Sequence, residues 1–124
     1  MTALDVERFM EHLPKLRKAL ALGGDTHDVD DVLDQISRGD AQLWLSDGAL
    51  IVTEVYDTPM VRELRFWLAC GDLQPVIELS HKVLDWGKNE KGCTQATLTG
   101  RKGWVKALAA EGWEASMVVM GRKL

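Results

Sequence analysis

Apolar residues in the first forty positions recur with a helical period. Val6, Phe9, Met10, Leu13, Leu16 and Leu20 fall on one face, with Thr2 placed as an N-cap. Pro14 predicts a kink there, or a division into two short helices. Gly23-Gly24 ends the pattern, and a second helix is predicted from Thr26, with Val29, Val32, Leu33 and Ile36 on one side and Gly39 closing it. The period then shortens to two. Residues 42–45 and 50–56 flank Ser46-Asp47-Gly48, a hairpin signal because Asp-Gly supplies the positive φ angles of a tight turn. A third strand is expected over 61–69, although Val61, Leu64, Phe66 and Leu68 alternate imperfectly. Residues 73–89 read as a helix, with Val76, Ile77, Leu79, Val83, Leu84 and Trp86 as its apolar set and Pro75 in its first turn. A strand over 94–99, a helix over 101–111 and a final strand over 113–120 complete the prediction.

Runs of strands followed by helical crossovers predict an α+β fold: a mixed, mostly antiparallel sheet flanked by helices, with two helices at the N-terminus. The expected organisation is a single domain over residues 1–124. With 46% apolar and 27% charged residues, a chain of 124 can bury a core without metal or disulfide staples. Its formal charge of −4 argues against a general nucleic-acid binder, but Arg101, Lys102, Lys106, Arg122 and Lys123 gather basic charge near the C-terminus. Cys70 and Cys93 stand alone, which argues against a zinc site or a disulfide framework. No apolar run is long enough to span a bilayer, and the acidic N-terminus does not read as a secretion signal. These features predict a reducing cytoplasm, or a particle assembled there.

The element order resembles the GNAT acetyltransferase superfamily, over roughly residues 41–124. Trp86-Gly87-Lys88-Asn89-Glu90-Lys91-Gly92-Cys93 resembles the end of that family's central helix, and Ala107-Leu108-Ala109-Ala110-Glu111-Gly112-Trp113 resembles the close of its last helix. Gly100-Arg101-Lys102-Gly103-Trp104 is also similar to small GNAT-like proteins of tailed bacteriophages. The resemblance implies an acetyl-CoA site whose pyrophosphate lies on a glycine-rich loop before the central helix. Here that loop is Cys70-Gly71-Asp72-Leu73-Gln74-Pro75, with one glycine, one acid and one proline lacking an N–H. The family's general-acid tyrosine falls on Leu108 and its frequent asparagine on Arg101. These departures predict a degenerate cofactor site, hence no catalytic, cofactor-binding or metal-binding residues and no cofactor.

Other chemistry is sparse. Glu54 and Glu63 are strand carboxylates where the resemblance would put a general base. Cys70 is a candidate thiol at a strand end. The run Asp25, His27, Asp28, Asp30, Asp31 and Asp34 lacks the glycine of a calcium loop and suits a helix N-terminus. Five tryptophans are many for this length, and aromatic anchors are typical of interfaces. Trp67, Arg101, Lys102, Trp104 and Lys106 are therefore the candidate interaction residues. The leading expectation is a non-catalytic virion structural or assembly component, in the virion or host cytoplasm, with other proteins as partners and no membrane. The alternatives are an acetyl-CoA-dependent N-acyltransferase and a nucleic-acid-binding accessory protein.

Overall fold

The computed structural model describes residues 2–124. Helix α1 spans Ala3–Leu22 and opens on a capping box in which Thr2 and Asp5 exchange side-chain and backbone bonds. It continues past Pro14 as one helix, not two. Pro14 and Met10 both face solvent, so water can take the Met10 carbonyl that proline leaves unpaired. Phe9, Leu16 and Leu20 anchor the buried face on both sides of the proline. Helix α2, Val29–Ser37, starts three residues later than the periodicity predicts. The Asp28–Asp31 capping box fixes that start, so these acids serve a helix end.

Four strands follow: β1 Gln42–Leu45, β2 Ala49–Asp57, β3 Arg62–Gly71 and, after helix α3 Leu73–Asn89, β4 Gln95–Leu98. The sheet order is β1-β2-β3-β4, antiparallel for the first two pairs and parallel between β3 and β4. Helix α4, Gly103–Ala109, comes last. This is the mixed, mostly antiparallel α+β sheet that the hydrophobic pattern predicts.

The two faces of the sheet build two cores. Leu50, Val52, Leu68 and Cys70 pack with Phe9, Leu16, Leu20 and Val32 beneath α1 and α2. Ala49, Ile51, Leu64 and Phe66 pack with Val76, Leu79 and Val83 beneath α3. The imperfect alternation in the third strand has a physical cause. Val52 pairs with Leu68 and Thr53 with Phe66, so Trp67 is an extra, bulged residue. Phe66 thus faces α3, whereas Leu68 faces α1.

The predicted strand over 113–120 does not form. Trp113 docks edge-on against Phe66, with ring centroids 5.4 Å apart, and the remainder runs as irregular chain. Met117, Val118, Val119 and Met120 are 78–90% exposed. Strand propensity needs a partner edge to act on, and this segment lies on none. No helix among the described residues is long and apolar enough to cross a membrane.

Candidate functional site

The bulge at Trp67 sits where the sheet opens. β3 pairs with β4 only from Glu63 to Phe66, the last partner being Leu98. β3 then continues to Gly71 against β2 alone. Its other edge, residues 67–71, has no strand beside it among the described residues, because the chain after Leu98 turns away through Thr99 and Gly100 toward α4. A bulge that re-aims a side chain and ends a ladder is a device for making such an opening.

Two spaces flank the gap, one on each face of the sheet. On the α1 face is a groove of about 550 Å³ whose walls include Lys15, Lys18, Thr26, Cys70 and Arg101. On the α3 face is a smaller pocket of about 80 Å³ among Val76, Ile77, Ser80, Leu108 and Trp113. Trp67, Ala69, Thr99, Gly100 and Trp104 border both, so they stand between the two spaces. His27 packs edge-on against Trp67 at 4.9 Å and braces it from the α1–α2 connection.

Of the five candidate interaction residues, the structure brings Trp67, Arg101 and Trp104 together around this gap. Trp67 and Trp104 are half-buried. Lys102 and Lys106 are exposed and line neither space, and Arg122 and Lys123 lie in the irregular tail. Lys15 and Lys18 were not among the candidates. The apolar period read only the buried face of α1, and the signal for them was the basic run Lys15, Arg17 and Lys18 outside that face.

The loop before α3 is held in place by packing against the β1–β2 turn. The Asp72 N–H donates to the Gly48 carbonyl at 3.2 Å, which ties the loop to the β1–β2 turn. Gly71 has φ +128°, and any side chain there would run into the Gly48 carbonyl oxygen. At the start of α3, Val76 N–H is spent on the Asp72 carbonyl, Pro75 has none, and Asp72 makes no side-chain capping bond. The N–H groups of Leu73 and Gln74 remain for an outside acceptor. Lys15 Nζ stands 3.9 Å from the Asp72 carboxylate at this end of the groove.

Neither strand carboxylate reaches the gap. Glu63 lies at the far end of β3, bonded by Gln95 Nε2 at 2.9 Å and Arg65 Nε at 3.3 Å. Burial pushes its carboxyl up, but the bonds from Gln95, Thr97 and Arg65, with the charge of Arg65, outweigh that and hold it below the ordinary range. Glu54, opposite Arg65, borders neither space. Cys70 does line the groove, yet burial pushes its thiol up to about 11, so it is a protonated apolar wall at neutral pH. Leu108, at the position of the family's acid, is buried in the wall of the smaller pocket.

A meander whose third strand parts from a parallel neighbour between two helical layers is the GNAT-like acetyltransferase fold. Solved structures share it across nearly the whole chain. The BH1408 protein of Bacillus halodurans superposes with a TM-score of 0.73 over all of this chain and 97% of its own, at 13% identity. A probable acetyltransferase matches at TM-score 0.65, 11% identity, and coverage of 93% and 92%. An aminoglycoside acetyltransferase, meta-AAC0020 from an uncultured soil metagenomic sample, matches at 0.64 and 13% identity, covering 100% of this chain and 93% of its own. No family model matches the chain, and no curated protein matches it by sequence. At such identities the likeness carries the fold.

The expectation of a virion structural component is corrected by these neighbours. Those named for an activity are acetyltransferases, one of them solved with the aminoglycoside sisomicin, and they favour the acyltransferase alternative. The phage link rested on a short glycine- and cation-rich segment, which the structure uses to turn the chain from β4 into α4.

Proposed function

We propose that this chain is an acyl-CoA-dependent N-acyltransferase, and the gap between β3 and β4 is the observation that carries the reading. An acyl-CoA supplies a thioester on a long arm containing amides; the amine's lone pair forms the new C–N bond, the C–S bond breaks with its electron pair on sulfur, and the amine's proton balances the departing thiolate. The free edge of β3, residues 67–71, offers backbone donors and acceptors to such an arm as a missing strand would. Leu73 and Gln74 N–H at the α3 N-terminus, with Lys15 beside them, suit the phosphates. Asp72 and Pro75 weaken that end, so the fit is good along the arm and modest at the pyrophosphate.

Trp67 and Trp104 narrow the gap and keep water from the reacting carbon. Among the described residues no carboxylate or imidazole lines either space, so the acceptor amine arrives in its neutral form. Leu108 gives no proton, and the sulfur leaves as thiolate.

The test is calorimetric titration with acetyl-CoA, paired with an assay of thiol release in the presence of amines. Saturable binding below about 1 mM with amine-dependent thiol release is the expected result. Neither heat nor thiol release at several millimolar acetyl-CoA would end the acyltransferase reading.

A further inference from the structure

We infer that the amine accepted in the large groove also carries an anionic group, a carboxylate in the first instance, and that polycationic amines are poor acceptors; this rests on the acyltransferase reading. Among the described residues the groove wall contributes three cations, Lys15 and Lys18 from α1 and Arg101 from the turn into α4, and no acid. The acidic run from Asp25 begins next to the rim, but none of its carboxylates lines the space. Asp28 and Asp31 are held in their capping box, and Asp34 pairs with Arg38 at 3.6 Å. Lys15 has a partner in Asp72, toward the end assigned to the cofactor. Lys18 and Arg101 form no ion pair among the described residues and face the groove from opposite elements.

A cleft lined by one sign of charge concentrates ligands of the other sign and repels its own. A protonated polyamine or aminoglycoside entering here would meet like charge on two walls. An amine with a carboxylate would place the carboxylate on Arg101 and Lys18 and leave its nitrogen free to reach the gap. Trp67 and Trp104 offer flat apolar walls to the body of such a molecule. A charge-assisted bond to a carboxylate is worth roughly ten- to a hundredfold in binding.

The experiment compares L-phenylalanine, L-phenylalaninamide and spermidine as acceptors with acetyl-CoA, reading thiol release, and as ligands of the protein without acetyl-CoA, reading tryptophan fluorescence. The amide's amine is the less basic of the first two and more often neutral, so any preference for the acid comes from the carboxylate. At least a tenfold preference for phenylalanine over its amide is expected in both readouts, with spermidine weakest. Arg101→Gln and Lys18→Gln should each cut that preference about fivefold or more, through the acceptor's KM. Equal use of acid and amide, or a preference for spermidine, overturns the inference while the transfer itself upholds the acyltransferase reading. Variants that raise the KM for acetyl-CoA instead also overturn it, because the cations then serve the cofactor's phosphates. Absence of transfer to every amine would sink the acyltransferase reading and, with it, the inference about the acceptor.

Discussion

Cys70 illustrates how burial removes a reactive group from a site it borders. Its thiol is moved from an ordinary value near 9 up to about 11, chiefly by desolvation, with Lys15 pulling weakly the other way. Two units correspond to about a hundredfold less thiolate at neutral pH, so alkylation of Cys70 by iodoacetamide at pH 7.5, followed in a Cys93→Ser background, should run about a hundredfold slower than for free cysteine. The same shift acts on stability. Below pH 9 both folded and unfolded chains hold the proton, between 9 and 11 only the fold does, and stability falls as pH rises through that window. A second residue presents the opposite balance. His12 is 5% exposed, and its Nε2 has no hydrogen-bond partner among the described residues. An unpaired polar atom in an apolar core is destabilising, so His12→Leu is expected to raise stability by about 1–2 kcal/mol in urea unfolding. A loss of stability would mean that Nε2 holds a water or a ligand.

Among the elements, α3 and the tail carry the sharpest expectations. Asp72 stands at the α3 N-terminus, where its charge opposes a phosphate and its side chain caps nothing. Asp72→Asn should therefore tighten acetyl-CoA binding, roughly two- to fivefold, as read by calorimetry. Beyond Trp113 the chain buries little, and deleting residues 117–124 should leave the melting temperature within about 2 °C of the full chain. These elements also mark how far the sequence could be read. Helix α3 was legible to the residue, because Gly71-Asp72 and Pro75 punctuate a strong 3.6-residue period. Strand β3 was legible in place but not in detail, since a bulge at Trp67 breaks alternation without leaving a sequence mark of its own. The tail misled, because Met117-Val118-Val119-Met120 has strand composition and no partner edge. For the site, Trp67, Arg101 and Trp104 were legible as unusual residues, whereas their meeting around one gap depends on where β4 stops pairing. Lys102 and Lys106 share the composition of Arg101 and point elsewhere, which charge clustering in a sequence does not distinguish.

Across the whole molecule, the proposed transfer depends on the place where β3 and β4 part, which both spaces border. The cationic groove and the apolar pocket lie on opposite sides of the sheet and share Gly100 as a border, so on the acyltransferase proposal donor and acceptor meet only if the space beside Gly100 is clear. A side chain at Gly100 would begin 3.2 Å from Trp104 Cδ1 and 3.3 Å from Leu98 Cδ1, tight enough to press on both walls of the gap. Gly103, three residues on, opens into free space. Gly100→Val should thus weaken acetyl-CoA binding by about tenfold or more while shifting the melting temperature by less than about 5 °C, and Gly103→Ala should leave binding unchanged. The pair separates obstruction of the gap from general damage to the turn into α4. If Gly100→Val bound acetyl-CoA as well as the parent chain, the arm would not pass between β3 and β4, and the two spaces would have to work independently. Loss confined to Gly100→Val would instead tie the bulge at Trp67, the early end of β4 and the cationic groove into one device, in which the parting of two strands brings donor and acceptor together.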